Sequence, residues 1–356
     1  MYRLPIIYKL LRTIIKRGII NTGLQIVSVL TRPINVLNMP RHLQIEIITQ
    51  CNLSCRICPR TIALEKANNE QMIKRWFEQI PIEAFQQIIY QLPSLQTISL
   101  HGLGEPLLHP DIFRMIRMAE NKGIHVRFIT NGTLLTQGVA QQLIKSKLWR
   151  LIVSIDGSTP ETFELIRSGA CFENVIENVK YLLALRNNSG KNFPKIDFNM
   201  VVCKLNAAEV IPVLEFADKL GIDSVILSSL KPLNSDQYNI MCDINTLKSI
   251  VNDAKNYVKN LGLKLYIRSQ MLHSCKVKYN SRKRTFECLH PWLTTVITIN
   301  GDVMPCCNIN SPIYSMGNVF NENFSDIWNS PKYQHFRHEI KRKNQITEPC
   351  RTCPEF

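Results

Sequence analysis

Seven of the twelve cysteines in this 356-residue chain fall into three tight groups: Cys51, Cys55 and Cys58; Cys306 and Cys307; Cys350 and Cys353. Spacings this short let thiolates reach one metal centre without straining the backbone. The run Cys51-Asn-Leu-Ser-Cys55-Arg-Ile-Cys58 offers three thiolates from one loop. Three can hold three irons of a cubane and leave the fourth without a protein ligand, which is an open position for chemistry. Zinc is the weaker reading, because a structural zinc takes four ligands and no fourth Cys or His lies nearby. A thiolate centre survives best in a reducing compartment, so a cytoplasmic protein is expected.

These cysteines need a scaffold. Short β-branched runs at 43–49, 97–101, 125–130, 151–154, 196–202 and 224–227 read as strands, and segments at 110–122, 136–147, 160–185 and 207–220 have helical periodicity. Strands alternating with helices imply parallel βα units. Six of them without a dinucleotide fingerprint suggest an α/β fold, a partial (β/α)6 TIM-like barrel with its active residues at the carboxyl ends of the strands. After residue 230 the alternation stops: 244–261 reads as a helix, 264–269 as a strand, and the remainder as a small cysteine-rich unit. The expected organisation is an extension over 1–41, a barrel over 42–235, a connecting segment over 236–285 and the cysteine-rich unit over 286–356.

A C-x3-C-x2-C motif directly after the first strand of such a barrel resembles the signature of the radical S-adenosylmethionine (SAM) superfamily. In that family the open iron is chelated by SAM. Gly102-Leu103-Gly104-Glu105-Pro106 resembles the family's GGEP turn, with Leu103 in place of its first Gly; Thr130-Asn131-Gly132 and Ser154-Ile155-Asp156-Gly157 follow at later strand ends. The resemblance implies that Gly104, Glu105, Asn131, Ser154 and Arg167 bind SAM, Glu105 at its amino group and Ser154 with Arg167 at its ribose and carboxylate. The chemistry agrees: a cationic amino group needs a carboxylate, a carboxylate suits a guanidinium fork, and glycines admit close approach. Ile57 stands where the family often has an aromatic residue near adenine.

Cys288, the Gly301-to-Cys306 spacing and Cys350-Arg-Thr-Cys353 resemble, in order, the SPASM/Twitch extensions that bind an auxiliary 4Fe-4S cluster. The resemblance implies Cys288, Cys306, Cys350 and Cys353 as ligands, giving two 4Fe-4S clusters in all. Neighbours on an extended chain point opposite ways, so Cys307 should face away from a cluster held by Cys306. A zinc ribbon needs two C-x2-C knuckles and only one is present.

A fully ligated second cluster favours electron transfer, so the expected reaction is a net oxidation: the 5′-deoxyadenosyl radical takes hydrogen from a sugar, cyclitol or lipid-linked alcohol and the auxiliary cluster accepts an electron. The alternative is maturation of a ribosomal peptide by a thioether, a crosslink or epimerisation. A non-catalytic, membrane-associated iron-sulfur protein is the reading from another class. Cys203, as a hydrogen donor, and His101 and Lys204, as bases, are weak catalytic candidates near strand ends.

The formal charge is +15, and no acidic residue precedes Glu46, while Arg3, Lys9, Arg12, Lys16 and Arg17 stand in the first turns of a basic amphipathic pattern over 1–30. Further basic runs are Lys276–Arg284 and 341–343. Such charge suits an acidic electron donor such as flavodoxin or ferredoxin, and peripheral contact of residues 1–30 with the inner membrane face. No recognition motif accompanies it, so nucleic acid is not expected. Composition excludes collagen, coiled coil and global disorder, with 45% hydrophobic and 20% charged residues.

Overall fold

The computed structural model describes residues 20–230, 238–240, 243–268, 271, 288–309, 312–342, 350 and 353. The amphipathic pattern over 1–19, the basic run at 276–284, Lys343, Cys242 and Cys275 lie outside them. Residues 20–31 are helical (α1). The chain then forms β1 (His42–Ile45), α2 (Pro59–Glu65), α3 (Glu70–Lys74), α4 (Ile82–Gln91), β2 (Thr97–Leu100), α5 (Ile112–Glu120), β3 (His125–Thr130), α6 (Gln137–Lys145) and β4 (Arg150–Ser154). It continues through α7 (Pro160–Ile166), α8 (Phe172–Asn188), β5 (Lys195–Val202), α9 (Val210–Leu220), β6 (Ser224–Ser229), α10 (Ile244–Val258) and β7 (Lys264–Ile267). The last part holds α11 (His290–Leu293), β8 (Thr294–Ile297), β9 (Val303–Met304), α12 (Phe324–Trp328) and α13 (Pro331–Lys341).

One sheet runs in the order β7-β6-β5-β4-β3-β2-β1-β8-β9. All neighbours are parallel except β8 and β9. The sheet therefore extends past the six expected strands on both sides. β7 covers the free edge of β6, and β8 pairs with β1 at His42↔Thr294 through Ile45↔Ile297. An uncovered parallel edge would leave a row of unpaired backbone groups, which both additions satisfy. The cysteine-rich part is thus tied to the sheet by a strand.

Residues on alternate strand positions take opposite environments. Leu43, Ile45, Ile98, Leu100, Val126, Phe128, Leu151, Val153, Phe198 and Leu227 are fully buried, packed in one core with Phe85, Met115, Leu143, Leu182 and Leu214 of the helices. The alternate positions include His42, Gln44, Ser99, Arg127, Arg150 and Asn199, together with the apolar Ile129, Ile152 and Ile226. A parallel sheet covered on both faces reads apolar throughout; this one has an apolar outer face and an inner face on which polar residues cluster over β1 to β5.

The expected helix over 160–185 is two helices. Gly169, at φ +95°, reverses the chain between α7 and α8. That break presents Arg167 and the carbonyls of Ile166 and Ser168 to the cysteine loop.

Candidate active site and auxiliary cysteine cavity

The Cys51–Cys58 loop leaves the carboxyl end of β1 and is fastened to the turns after β2 and β3 and to the end of α7. Glu105 N donates to Gln50 O at 2.8 Å, and Ser54 N and Arg56 N donate to the carbonyls of Ser168 and Ile166. Asn131 Nδ2 donates to Asn52 Oδ1 at 2.9 Å and lies 3.9 Å from Cys51 Sγ. Cys58 caps α2, with Pro59 at the first helical position, where a missing N–H costs nothing. Burial pushes the Cys55 thiol up to about 12, against the opposing pull of Arg167.

Glu105 is buried and accepts from Thr130 Oγ1 at 2.7 Å, Asn131 N at 2.7 Å and Leu107 N at 3.1 Å. Burial raises its pKa while these donors oppose the rise. A carboxylate has about four acceptor sites, so three donors fix its orientation and leave room for one more. Gly104 makes this placement feasible in a way the sequence did not suggest. A Cβ there would stand 2.4 Å from Ile48 O and 2.6 Å from Gln50 O, so the protein's own backbone already requires Gly104 to be bare. Gly104→Ala is expected to push the turn off β1 at a cost of about 1–3 kcal/mol. A lower melting temperature together with weaker SAM binding by calorimetry checks this.

Arg167 Nη2 lies 2.7 Å from Asp156 Oδ2, and Asp156 Oδ1 accepts from Val201 N at 2.7 Å. Burial works against the Arg167 charge, but Asp156, Cys55 and Cys58 outweigh it and raise its pKa. Its Nε is buried with no hydrogen-bond partner among the described residues. Asp156 was missed as a site residue, although it stands two positions beyond Ser154 and so on the same face of the extended chain. Ser154 is buried at the end of β4. Cys203 is fully buried in an apolar group with Ile57, Ile166 and Leu230, beside the cysteine loop. His101 is half-buried, and its carbonyl accepts from Gln44 Nε2 at 3.3 Å. Lys204 is exposed, and its charge helps lower the Asp243 pKa, after the hydrogen bonds from Thr246.

Deeper on the polar face, Arg127 Nε donates to Ser99 Oγ at 2.7 Å, and Ser99 meets His42 Nε2 at 3.2 Å. Burial, then Arg268 and Arg150, holds Arg127 down to about 10; burial, then Arg127, holds His42 down to about 3. Arg150 is neutralised by Asp197. These residues were also missed. Their signal was a period-2 polar pattern inside strands of a parallel sheet.

In the C-terminal part, Cys288, Cys306, Cys350 and Cys353 line one small enclosed cavity with His290, Asn308 and Phe336. Cys306 is delivered by the β8–β9 hairpin, whose turn has Gly301 at φ +84°. Cys307 is not in the cavity wall and is close enough to Arg127 to favour its charge. Burial, then Cys307, Cys288 and Cys350, raises the Cys306 thiol pKa. Among the described residues, no three cysteine sulfurs lie within 4.8 Å of one another. The first set offers three thiols from one loop and the second four around one cavity, the ligand counts of an open and a closed cubane.

The family model of the radical SAM superfamily matches residues 45–234, more than half of the chain. The chain belongs to the radical SAM superfamily. The SPASM iron-sulfur cluster-binding domain matches residues 288–354. The chain is similar to the tungsten-containing aldehyde ferredoxin oxidoreductase cofactor-modifying protein of Pyrococcus furiosus, 27% identical over 88% of this chain and 87% of that protein. It is also similar to the PqqA peptide cyclase of Streptomyces rochei, 22% identical over 89% of this chain and 82% of that protein. Among solved structures, Streptococcus suis SuiB has the same fold, with a TM-score of 0.66 at 20% identity over 84% of this chain and 68% of SuiB. As a radical SAM enzyme with a SPASM domain, the chain uses SAM and two 4Fe-4S clusters. The non-catalytic reading falls. The residues fit the cofactors: three thiols on one loop and four around one cavity, an Arg167 Nε–H with no partner among the described residues to meet a carboxylate, and a Glu105 with acceptor capacity left. Among the described residues no helix is long and apolar enough to cross a membrane.

Proposed function

We propose that this radical SAM enzyme modifies a peptide, forming a crosslink, a thioether or an epimerised residue. The observation that carries the reading is the similarity, over most of both chains, to a PqqA peptide cyclase. The oxidation of a sugar or lipid-linked alcohol expected from the sequence has no comparable support. When bound, SAM and its cluster supply hydrogen-atom abstraction from an unactivated carbon. In this reading Cys51, Cys55 and Cys58 hold that cluster, and Cys288, Cys306, Cys350 and Cys353 hold the auxiliary one. Glu105 accepts from the SAM amino group, Arg167 donates through Nε to its carboxylate, and Ser154 contacts the ribose. Ile57, Ile166 and Leu230 give an apolar wall for adenine. The polar inner face, with Ser99, Arg127 and Asn199, orients substrate beneath it. An acidic one-electron donor is the partner that the basic surface suits.

The test is anaerobic reconstitution of the full chain, followed by incubation with dithionite, SAM and precursor peptides encoded beside its gene. The expected result is 5′-deoxyadenosine formation that rises with one peptide, whose mass or residue chirality changes. If turnover instead followed a small alcohol, with the peptides unaltered, the peptide reading would be wrong while the radical SAM assignment stood.

A further inference from the structure

Helix α1 is amphipathic in the inverse sense. Its buried positions are polar: Asn21, Gln25 and Ser28 are all under a tenth exposed. Its outward positions are apolar: Ile20, Ile26, Val27 and Leu30 are 53%, 56%, 51% and 78% exposed, and Leu37, just beyond the helix, is 81% exposed. Gly23 lies on the same outward stripe, with open space where a Cβ would be. Isolated exposed apolar residues need no explanation, but a contiguous stripe facing away from a hydrogen-bonded seat does.

The seat is specific. Asn21 Oδ1 accepts from Met39 N at 2.9 Å, Gln25 Nε2 donates to Met39 O at 3.1 Å, and Ser28 donates to Asn38. Asn38 Nδ2 donates in turn to Trp292 O at 2.8 Å, and Trp328 Nε1 donates to Asn38 O at 2.8 Å. Asn329 clasps the backbone of Val36 from both sides, and the buried Arg337 donates to Pro291 O and Ile34 O. Rolling the helix over to bury its leucine and valine would break these bonds and leave polar groups unsatisfied in the interior. The polar side is therefore locked inward, and the apolar side outward.

We propose that the outward face of α1 docks on an anionic lipid surface. The occupant follows from charge: residues 1–19 carry Arg3, Lys9, Arg12, Lys16 and Arg17 with no acid, Arg32 follows the helix, and Lys341 Nζ reaches Thr31 O at its end. An apolar stripe flanked by cations and free of acids is the pattern of an interfacial helix, which inserts its apolar side and leaves its cations among the headgroups. The seat on Trp292, Trp328 and Arg337 holds the SPASM part toward that surface. This inference stands apart from the chemistry and does not depend on the substrate.

The test is co-sedimentation of the full chain with vesicles of phosphatidylglycerol and phosphatidylcholine in roughly equal parts, and with phosphatidylcholine alone. Binding to the anionic vesicles that weakens with salt is expected. The triple variant Ile26→Ser, Val27→Ser, Leu30→Ser should lower the bound fraction by about tenfold or more, while its melting temperature and dithionite-dependent SAM cleavage stay unchanged. A wild-type chain that remains in the supernatant would overturn the proposal. So would undiminished binding by the triple variant, or a dimer in solution that the same substitutions dissolve, which would give the face to a second copy of the chain.

Discussion

Replacing Cys51, Cys55 and Cys58 together by alanine is expected to abolish SAM cleavage and leave about four irons of about eight. The two thiol sets share no ligand and no supporting loop. The first is pinned to the turns after β2 and β3 and to the end of α7 by bonds from or to Gln50, Asn52, Ser54 and Arg56. The second lines a cavity between α11, α13 and the C-terminal cysteines. Each can empty without dismantling the other. Iron analysis with electron paramagnetic resonance of the dithionite-reduced variant checks the count, and chromatography of 5′-deoxyadenosine checks the activity. Loss of all iron would mean that the sets are not independent. Residual cleavage would mean that the first set is not where SAM reacts.

The strand positions and the three-cysteine loop were legible because their signals are local. Periodicity places β1 to β6 to within a few residues, and a motif of eight residues places the loop. What was not legible depends on contacts distant in sequence. β8 pairs with β1 across some 250 residues, and nothing in Thr294–Ile297 announces that partner. The same holds for the break between α7 and α8. Residues 160–185 have continuous helical periodicity, and a single Gly169 is tolerated in many helices at a cost of about 1 kcal/mol. Here the carbonyls freed by the break are taken up by Ser54 N and Arg56 N, so the reversal is stabilised by the loop it supports.

Gly104 and Asp156 show two ways in which a motif conceals its mechanics. Gly104 sits in a turn that resembles a ligand-binding motif, yet the atoms closest to its missing side chain are the carbonyls of Ile48 and Gln50. The motif is therefore partly a packing device that aims Glu105. Asp156 stands beside Ser154 in the sequence, but the family resemblance assigns its partner Arg167 wholly to SAM and so leaves Asp156 without a role. The structure divides that guanidinium: Nη2 is paired with Asp156, and Nε has no partner among the described residues. A buried cation beside the thiols of Cys55 and Cys58 needs a fixed counter-charge of its own, which makes Asp156 the residue on which the placement of Arg167 depends.

Asp156→Asn is accordingly expected to cost about 3–5 kcal/mol, the range for removing one partner of a buried ion pair. Asparagine keeps the acceptor for Val201 N and nearly the same shape, so the change isolates the charge. Asp156 and Arg167 side chains are 1% and 11% exposed, and solvent does little to screen the cation left behind. Chemical denaturation of the iron-free variant should show the full loss. The reconstituted protein should lose less, since thiolates ligating iron beside Arg167 offset its charge. The double variant Asp156→Asn, Arg167→Gln removes both charges and should regain much of the stability, because an uncharged pair no longer bears the desolvation of an ion. It should not regain SAM affinity, because the Nε–H donor is gone. Stability and cofactor binding thus separate: the first follows the balance of charge, and the second follows the guanidinium donors that Asp156 leaves unused, the Nε–H among them. An Asp156→Asn variant as stable as the wild type, with SAM binding intact, would show that Arg167 needs no counter-charge and would remove Asp156 from the site.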